Sequence, residues 1–286
     1  MPELPEVETI TRELRPALTG RTIRAADVYW ERSVVPPDGA AFARQIAGRS
    51  VTKIGRRGKW IVIALDNEDT LLIHLRMTGQ LMTLSDPETF LPRHTRVFFT
   101  LDDGKRLIFQ DQRKFGRLVL TSDPHSVLGT LGLEPLAENF TVEQLGVLLA
   151  GRRRRIKPLL LDQHFLAGLG NIYTDEALWQ AGIHPLQPAN TLTPDETARL
   201  HDAIRAVLRT AIAHGGTTLP DATYRQLDGR PGAHGESLAV YGRAGQACPR
   251  CGAEITRLRV AQRGTSICPV CQVLRASPAD EDCMAR

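Results

Sequence analysis

Apolar residues recur at spacings of three and four from the first turn of the chain. Leu4, Val7, Ile10, Leu14 and Leu18 form one stripe that Gly20 ends, the period of an amphipathic helix. From Arg21 to about Leu120 the pattern shortens to the runs TIRAADVYW, WIVIALD, LLIHLRM, RVFFTLDDGKRLIFQD and GRLVLT. These β-rich runs, several separated by turn residues such as Asp103-Gly104, predict an antiparallel sandwich or barrel. The looser stretch SDPHSVLGTLGLEPLAENF has the Gly/Pro content of a linker. Helical segments follow: VEQLGVLLAGR, IKPLLLDQ, NIYTDEALWQAG and PDETARLHDAIRAVLRTAIAHGG, the last with Leu200, Ile204, Val207, Leu208, Ala211 and Ile212 on one face. A glycine-rich polar segment comes next, too long for a plain connector and a candidate mobile functional loop. The pattern therefore predicts an α+β multidomain chain: 1–122 an N-terminal antiparallel β-sandwich with flanking helices, 123–139 a linker, and 140–240 a helical domain carrying the loop 215–240. A small module at 241–275 and a frayed acidic tail at 276–286 complete it.

Composition narrows the class. The chain has 286 residues, 42% hydrophobic and 24% charged, the balance of a soluble globular protein and not of disorder. No apolar run approaches the roughly 20 residues of a bilayer span. Glu3, Glu6 and Glu8 stand where a secretory signal needs a basic start and an apolar stretch, so a cytoplasmic protein with no membrane partner is expected. The net charge is only +4, but it is unevenly spread. Between Gly242 and Arg275 six arginines face one acid, Glu254. Further basic clusters are Arg152 to Arg155 with Lys157, Arg56 and Arg57 with Lys59, and Arg113 and Lys114 with Arg117. Any single cluster reads as a solvated face; together they point to nucleic-acid phosphate. Aromatics at 5% argue against a broad single-strand stacking platform.

Four of the five cysteines form two knuckles, Cys248-x2-Cys251 and Cys268-x2-Cys271, separated by 16 residues. That is the spacing of a four-thiolate structural zinc site. The alternative, two redox or disulfide pairs, lacks the βαβ background such motifs accompany. Cys283 lies outside the spacing and reads as a free thiol. At the other end Met1 precedes Pro2, and loss of Met1 would expose a secondary amine. An α-amino group titrates near 8 against about 10.4 for lysine, so at neutral pH it is far more often nucleophilic. Condensation with a sugar carbon gives an iminium that cannot lose its charge by deprotonation. Glu3 and Glu6 are placed to move protons beside it. The residues alone favour the ordinary reading, a helix that begins with proline followed by acids.

Taken together, PELPEVET, KFGR after Asp111-Gln-Arg113, LDQHFLAGLGNIYTDEALW, and the closing YGR, AQR and paired knuckles resemble the bacterial formamidopyrimidine-DNA glycosylase family, from Pro2 to about Gln272. The resemblance implies a β-sandwich flanked by helices, a helix-two-turn-helix domain and a C-terminal zinc finger with one structural zinc. It implies a monomeric enzyme on damaged double-stranded DNA that excises oxidised purines and then cleaves the strand. It implies Pro2 as nucleophile, Glu3 as proton donor, Lys59 as the lysine that contacts lesion-side phosphate and aids elimination, and Arg263 as the grip on the flanking phosphates. Met77, Arg113 and Phe115 would fill the space left by an extruded nucleotide. His74, His94, Arg153, Lys157, Asn171 and Tyr241 would contact DNA, and loop 215–240 would close over the everted base. RRRRIK is more basic than the family pattern requires, and the tail beyond Gln272 is longer. Two alternatives remain: an enzyme similar to endonuclease VIII, acting on oxidised pyrimidines, and a zinc-containing DNA-binding protein without catalysis.

Overall fold

The computed structural model describes residues 1–36, 38–85, 90–220 and 224–275. The tail with Cys283 therefore lies outside the described residues. The chain groups into two compact units, one of residues 1–130 with 211–236, the other of 131–210 with 237–286.

The first unit opens with α1 (Leu4–Leu18), whose whole predicted stripe is buried. Five such side chains removed from water contribute on the order of 10 kcal/mol. Then come β1 (Thr22–Val28), the short β2 (Val34–Val35), α2 (Gly39–Ile46), β3 (Arg49–Arg57), β4 (Trp60–Leu65), β5 (Thr70–His74) and β6 (Gly79–Leu84). β7 (Thr95–Leu101), β8 (Arg106–Asp111), β9 (Arg117–Thr121) and the one-turn α3 (His125–Leu128) follow. The strands hydrogen-bond in the order β2-β9-β5-β4-β3-β1-β7-β8-β6. Between β1 and β3 the ladder is only two residue pairs long, Thr22 with Ser50 and Ile23 with Arg49, and there the sheet divides into two halves. Val97, Phe99, Leu107 and Phe109 of one half share a single core with Ile61, Ile63, Leu71, Ile73 and Leu118 of the other, which is the predicted sandwich.

Two elements are absent from the apolar pattern. α2 buries only Phe42 and Ile46 besides Gly39, too few to show a period, and its start is fixed locally by the Asp38 carboxylate, which accepts the Ala41 N–H at 2.9 Å. β3 buries Val51 and Ile54 between basic and polar residues, so its sequence reads as a charged face.

The second unit holds α4 (Val142–Ala150), α5 (Ile156–Leu160), α6 (Asn171–Ala181), most of α7 (Pro194–Ala213), and the hairpin β10 (Thr256–Val260) with β11 (Arg263–Ile267). A reciprocal cap starts α7: Thr193 Oγ1 accepts the Glu196 N–H and Glu196 Oε2 accepts the Thr193 N–H. Residues 211–236, which sequence order assigns to the helical domain, belong with the first unit. Tyr224 and Leu227 enter its core. Among the described residues, no helix is long and apolar enough to cross a membrane.

Candidate functional site

In the first unit Pro2 and Glu3 are buried at the head of α1. The Glu6 carboxylate fixes them: Oε2 accepts the Glu3 N–H and Oε1 accepts the Thr217 N–H, each at 2.8 Å. One side chain thereby joins the chain terminus to the base of the glycine-rich segment. Gly215 and Gly216 take φ of 69° and 81° there, a region open to glycine at little cost. The segment is held further by Tyr224 OH on the Gly215 carbonyl and by the Leu227 N–H on Glu13. Residues 221–223 at its centre lie outside the described residues.

Lys59 is buried at the tip of the β3–β4 hairpin, where Arg57 pairs with Trp60 and Gly58 turns the chain at φ 55°. Arg56 ties this tip to α1, donating Nη1–H to the Gly58 carbonyl and Nε–H to Glu8. Burial works against the Glu8 charge, but the Arg12 and Arg56 guanidinium groups hold its carboxyl below the usual range. His74, at the end of β5, stands edge-on to Trp60 at 4.8 Å and accepts the Arg76 N–H on Nδ1. Burial, then the charges of Arg76 and Lys59, lower its pKa to about 3. Met77 is half-buried in the next turn. His94 and Arg113 are exposed, and Phe115 exposes about half its surface (49%) with the Arg113 guanidinium 5.0 Å over its ring.

In the second unit Arg153 is exposed and Asn171 opens α6. The Asn171 Nδ2–H donates to the Gly264 carbonyl at 3.0 Å, so the asparagine braces the β10–β11 hairpin. Arg263 is exposed just past that hairpin's turn, where Ala261 and Gln262 take φ of 45° and 66°. Lys157 is wholly buried. Its Nζ is 2.6 Å from Asp175 and donates to Thr265 Oγ1 and the Gly264 carbonyl. Asp175 also accepts the Ser266 N–H. Burial lifts the Asp175 carboxyl to about 6 against the pull of Lys157. The expected surface contact to phosphate is thus an internal strut, because the ammonium has no exposed surface to offer. Glu176 beside it accepts the N–H groups of Ala239, Val240 and Tyr241, which fixes the Tyr241 backbone. Neither acid was singled out from the sequence. The available signal was two adjacent carboxylates inside an otherwise buried helical run.

The four knuckle cysteines bring their sulfurs within 4.8 Å of one another. Cys248 and Cys271 sulfurs are 3.9 Å apart, Cys251 and Cys268 sulfurs 3.4 Å.

Three family models match in series: the formamidopyrimidine-DNA glycosylase N-terminal domain over residues 1–118, its H2TH domain over 131–223, and the zinc finger found in FPG and IleRS over 245–273. The formamidopyrimidine-DNA glycosylase of Chloroflexus aurantiacus is 51% identical over 282 residues, covering 97% of this chain and 100% of the relative. The chain belongs to the formamidopyrimidine-DNA glycosylase family. Solved structures of this family agree. A Lactococcus lactis FPG variant bound to Fapy-dG containing DNA superposes with a TM-score of 0.88 at 38% identity, covering 95% of this chain and 100% of that one. A MutM structure with carbocyclic 8-oxo-G containing DNA gives 0.86 at 37%, covering 95% and 100%.

Within this formamidopyrimidine-DNA glycosylase fold the cysteine cluster takes one structural zinc. Zn–S bonds of about 2.3 Å in a tetrahedron set sulfurs about 3.8 Å apart, close to the 3.9 and 3.4 Å of the two sulfur pairs here. Without a cation the cluster cannot hold four thiolates: desolvation, then the neighbouring sulfurs, push the Cys271 thiol up to about 12 and raise Cys268 as well, while against desolvation the Arg250 backbone N–H and the Trp179 indole hold Cys248 down to about 6. Zinc supplies that charge. The small cluster of Val240, Cys248, Ile255 and Cys268 is too little core to fold the module alone.

Proposed function

We propose that the chain excises oxidised purines, 8-oxoguanine and ring-opened formamidopyrimidines, from double-stranded DNA and then cleaves the strand at the resulting abasic site. The buried Pro2-Glu3 terminus fastened by Glu6 carries this reading, because it preserves a reactive terminus in a fixed place instead of leaving it frayed. With Met1 removed, the Pro2 nitrogen attacks the anomeric carbon, and the glycosidic bond breaks as the base leaves with its electron pair and takes up a proton. Glu3 donates the proton that opens the sugar, giving an iminium on Pro2. The iminium acidifies the adjacent C–H. Loss of that proton expels the 3′ phosphate and a second elimination expels the 5′ phosphate, with Lys59 placed to assist.

Met77, Arg113 and Phe115 take up the space of the extruded nucleotide, Arg113 offering planar donors to the orphaned cytosine. His94, Arg153 and Arg263 contribute exposed positive charge or donors to phosphate. His74, Asn171 and Tyr241 act from buried or braced positions, and Lys157 acts through the hairpin. The solved relatives carrying Fapy-dG and 8-oxo-G DNA support the purine class over oxidised pyrimidines. We further read the protein as a cytoplasmic monomer of five segments along the chain, with residues 211–236 of the third grouped with the first unit.

Sodium borohydride reduction during turnover of an 8-oxoguanine:cytosine duplex should trap a covalent adduct at Pro2. A zinc-loaded, Met1-free preparation that gives none, or that prefers thymine glycol, would defeat the reading. A Met1-retaining form should bind the duplex and fail to excise. Lys59→Ala should lose turnover more than binding, and Arg263→Ala should lose both.

A further inference from the structure

We infer that Asp111 is the positioning residue that sets both void-filling turns in one register and so governs discrimination of the base opposite the lesion; this rests on the function proposed above. Asp111 ends β8 and has no exposed surface. Its carboxylate reaches two separate turns. Oδ2 accepts the buried Gly116 N–H at 2.7 Å, and Oδ1 accepts the Arg113 N–H at 3.1 Å and the Thr78 hydroxyl. Thr78 Oγ1 in turn lies 3.1 Å from the same Arg113 N–H. Thr78 follows Met77, while Arg113 and Gly116 bracket Phe115. The backbone of Asp111 extends the junction: its N–H donates to the His94 carbonyl, and its carbonyl accepts from Arg96 Nε.

Elsewhere the turn from 112 to 116 is held from its flanks, by Arg117 Nη1–H on the Gly116 carbonyl at 2.9 Å and by Lys114 over the Trp30 ring, while its Arg113 and Gly116 amides rest on Asp111. Gln112 through Phe115 are exposed, and Lys114 sits at φ 62°. Gly116 admits no side chain, since a Cβ there would stand 2.3 Å from Phe109 Cζ and 3.2 Å from Asp111 Oδ2. The turn is therefore fitted around the carboxylate. With the Arg113 guanidinium lying over the Phe115 ring, any shift of the turn moves the wedge and the reader of the orphaned base together. The role needs a carboxylate. An asparagine of the same shape presents an NH2 group to one set of these donors, leaving them without an acceptor.

The test compares wild type with Asp111→Asn and Thr78→Val, with melting curves to establish folding. The readouts are excision rates on duplexes with 8-oxoguanine opposite cytosine or adenine, and incision of a single-stranded abasic oligonucleotide, which has no opposite base to replace. Asp111→Asn should lower duplex excision by roughly tenfold or more and bring the cytosine-to-adenine ratio toward one. Single-strand incision should remain at the wild-type rate. A folded variant with an unchanged ratio overturns the proposal, and so does single-strand incision that falls in step with the duplex rate. Should Asp111→Asn not fold, Thr78→Val decides: a reduced ratio supports the linkage and an unchanged one overturns it. Wild type that neither excises 8-oxoguanine nor forms a borohydride adduct refutes the functional reading, and this proposal with it.

Discussion

Buried charges set the behaviour of individual residues. Lys157→Met leaves Asp175 in the interior without its cation, which should cost about 3 kcal/mol or more of unfolding free energy. Lys157→Met with Asp175→Leu should recover much of that loss in urea titrations, and a double variant no better than the single would contradict the pairing. His74 makes the protein acid-sensitive. A histidine in the unfolded chain titrates near 6.5, whereas the folded site holds it near 3, so between those values the unfolded state binds a proton that the folded state refuses. The contribution is complete above about pH 6.5 and is lost as pH falls. His234, lowered to about 4 by burial and then by His214, acts in the same direction. His74→Gln should flatten the fall in stability between about pH 6.5 and 4; an equally steep profile would show that other groups control it. The cysteines were legible because their meaning lies in spacing, whereas Pro2 and Glu3 read by themselves as an ordinary helix start and stand out only through the family resemblance. Asp111, Glu176 and the inward turn of Lys157 were not legible, since a carboxylate that satisfies backbone amides looks in sequence like any solvated acid.

At the level of elements, periodic apolar residues announce what they build. α1 and α7 carry stripes of five and six such positions and match the helices seen. α2 and β3 bury too few side chains to declare themselves, and their existence follows from neighbours that need a partner. The β10–β11 turn is different again, because its two residues, Ala261 and Gln262, adopt left-handed backbone without glycine or asparagine. This geometry suits a two-residue hairpin at a conformational cost. Replacing the pair by Asn-Gly should relieve left-handed strain by more than glycine's added chain entropy costs, a net gain of about 0.5–1 kcal/mol, read as a higher melting temperature. An unchanged or lower value would mean the turn is already relaxed.

At the level of the whole molecule, metal and topology act on different parts. Chelation of zinc should unfold the hairpin module and abolish duplex binding while the first unit keeps its own transition. Trp179, whose Nε1–H lies 3.4 Å from Cys248 Sγ under the Arg250 guanidinium, should report the loss by fluorescence and recover when zinc is restored. A single transition lost throughout would contradict that separation. The first unit takes Tyr224 and Leu227 into its core from far along the chain, with a consequence for biosynthesis. On the ribosome, residues 1–130 must wait for about a hundred more before Tyr224 and Leu227 arrive and Thr217 reaches Glu6. At typical elongation rates that delay is on the order of ten seconds. During it Glu6 lacks its Thr217 partner, so on the function proposed above the terminus would meet a processing peptidase before this unit closes.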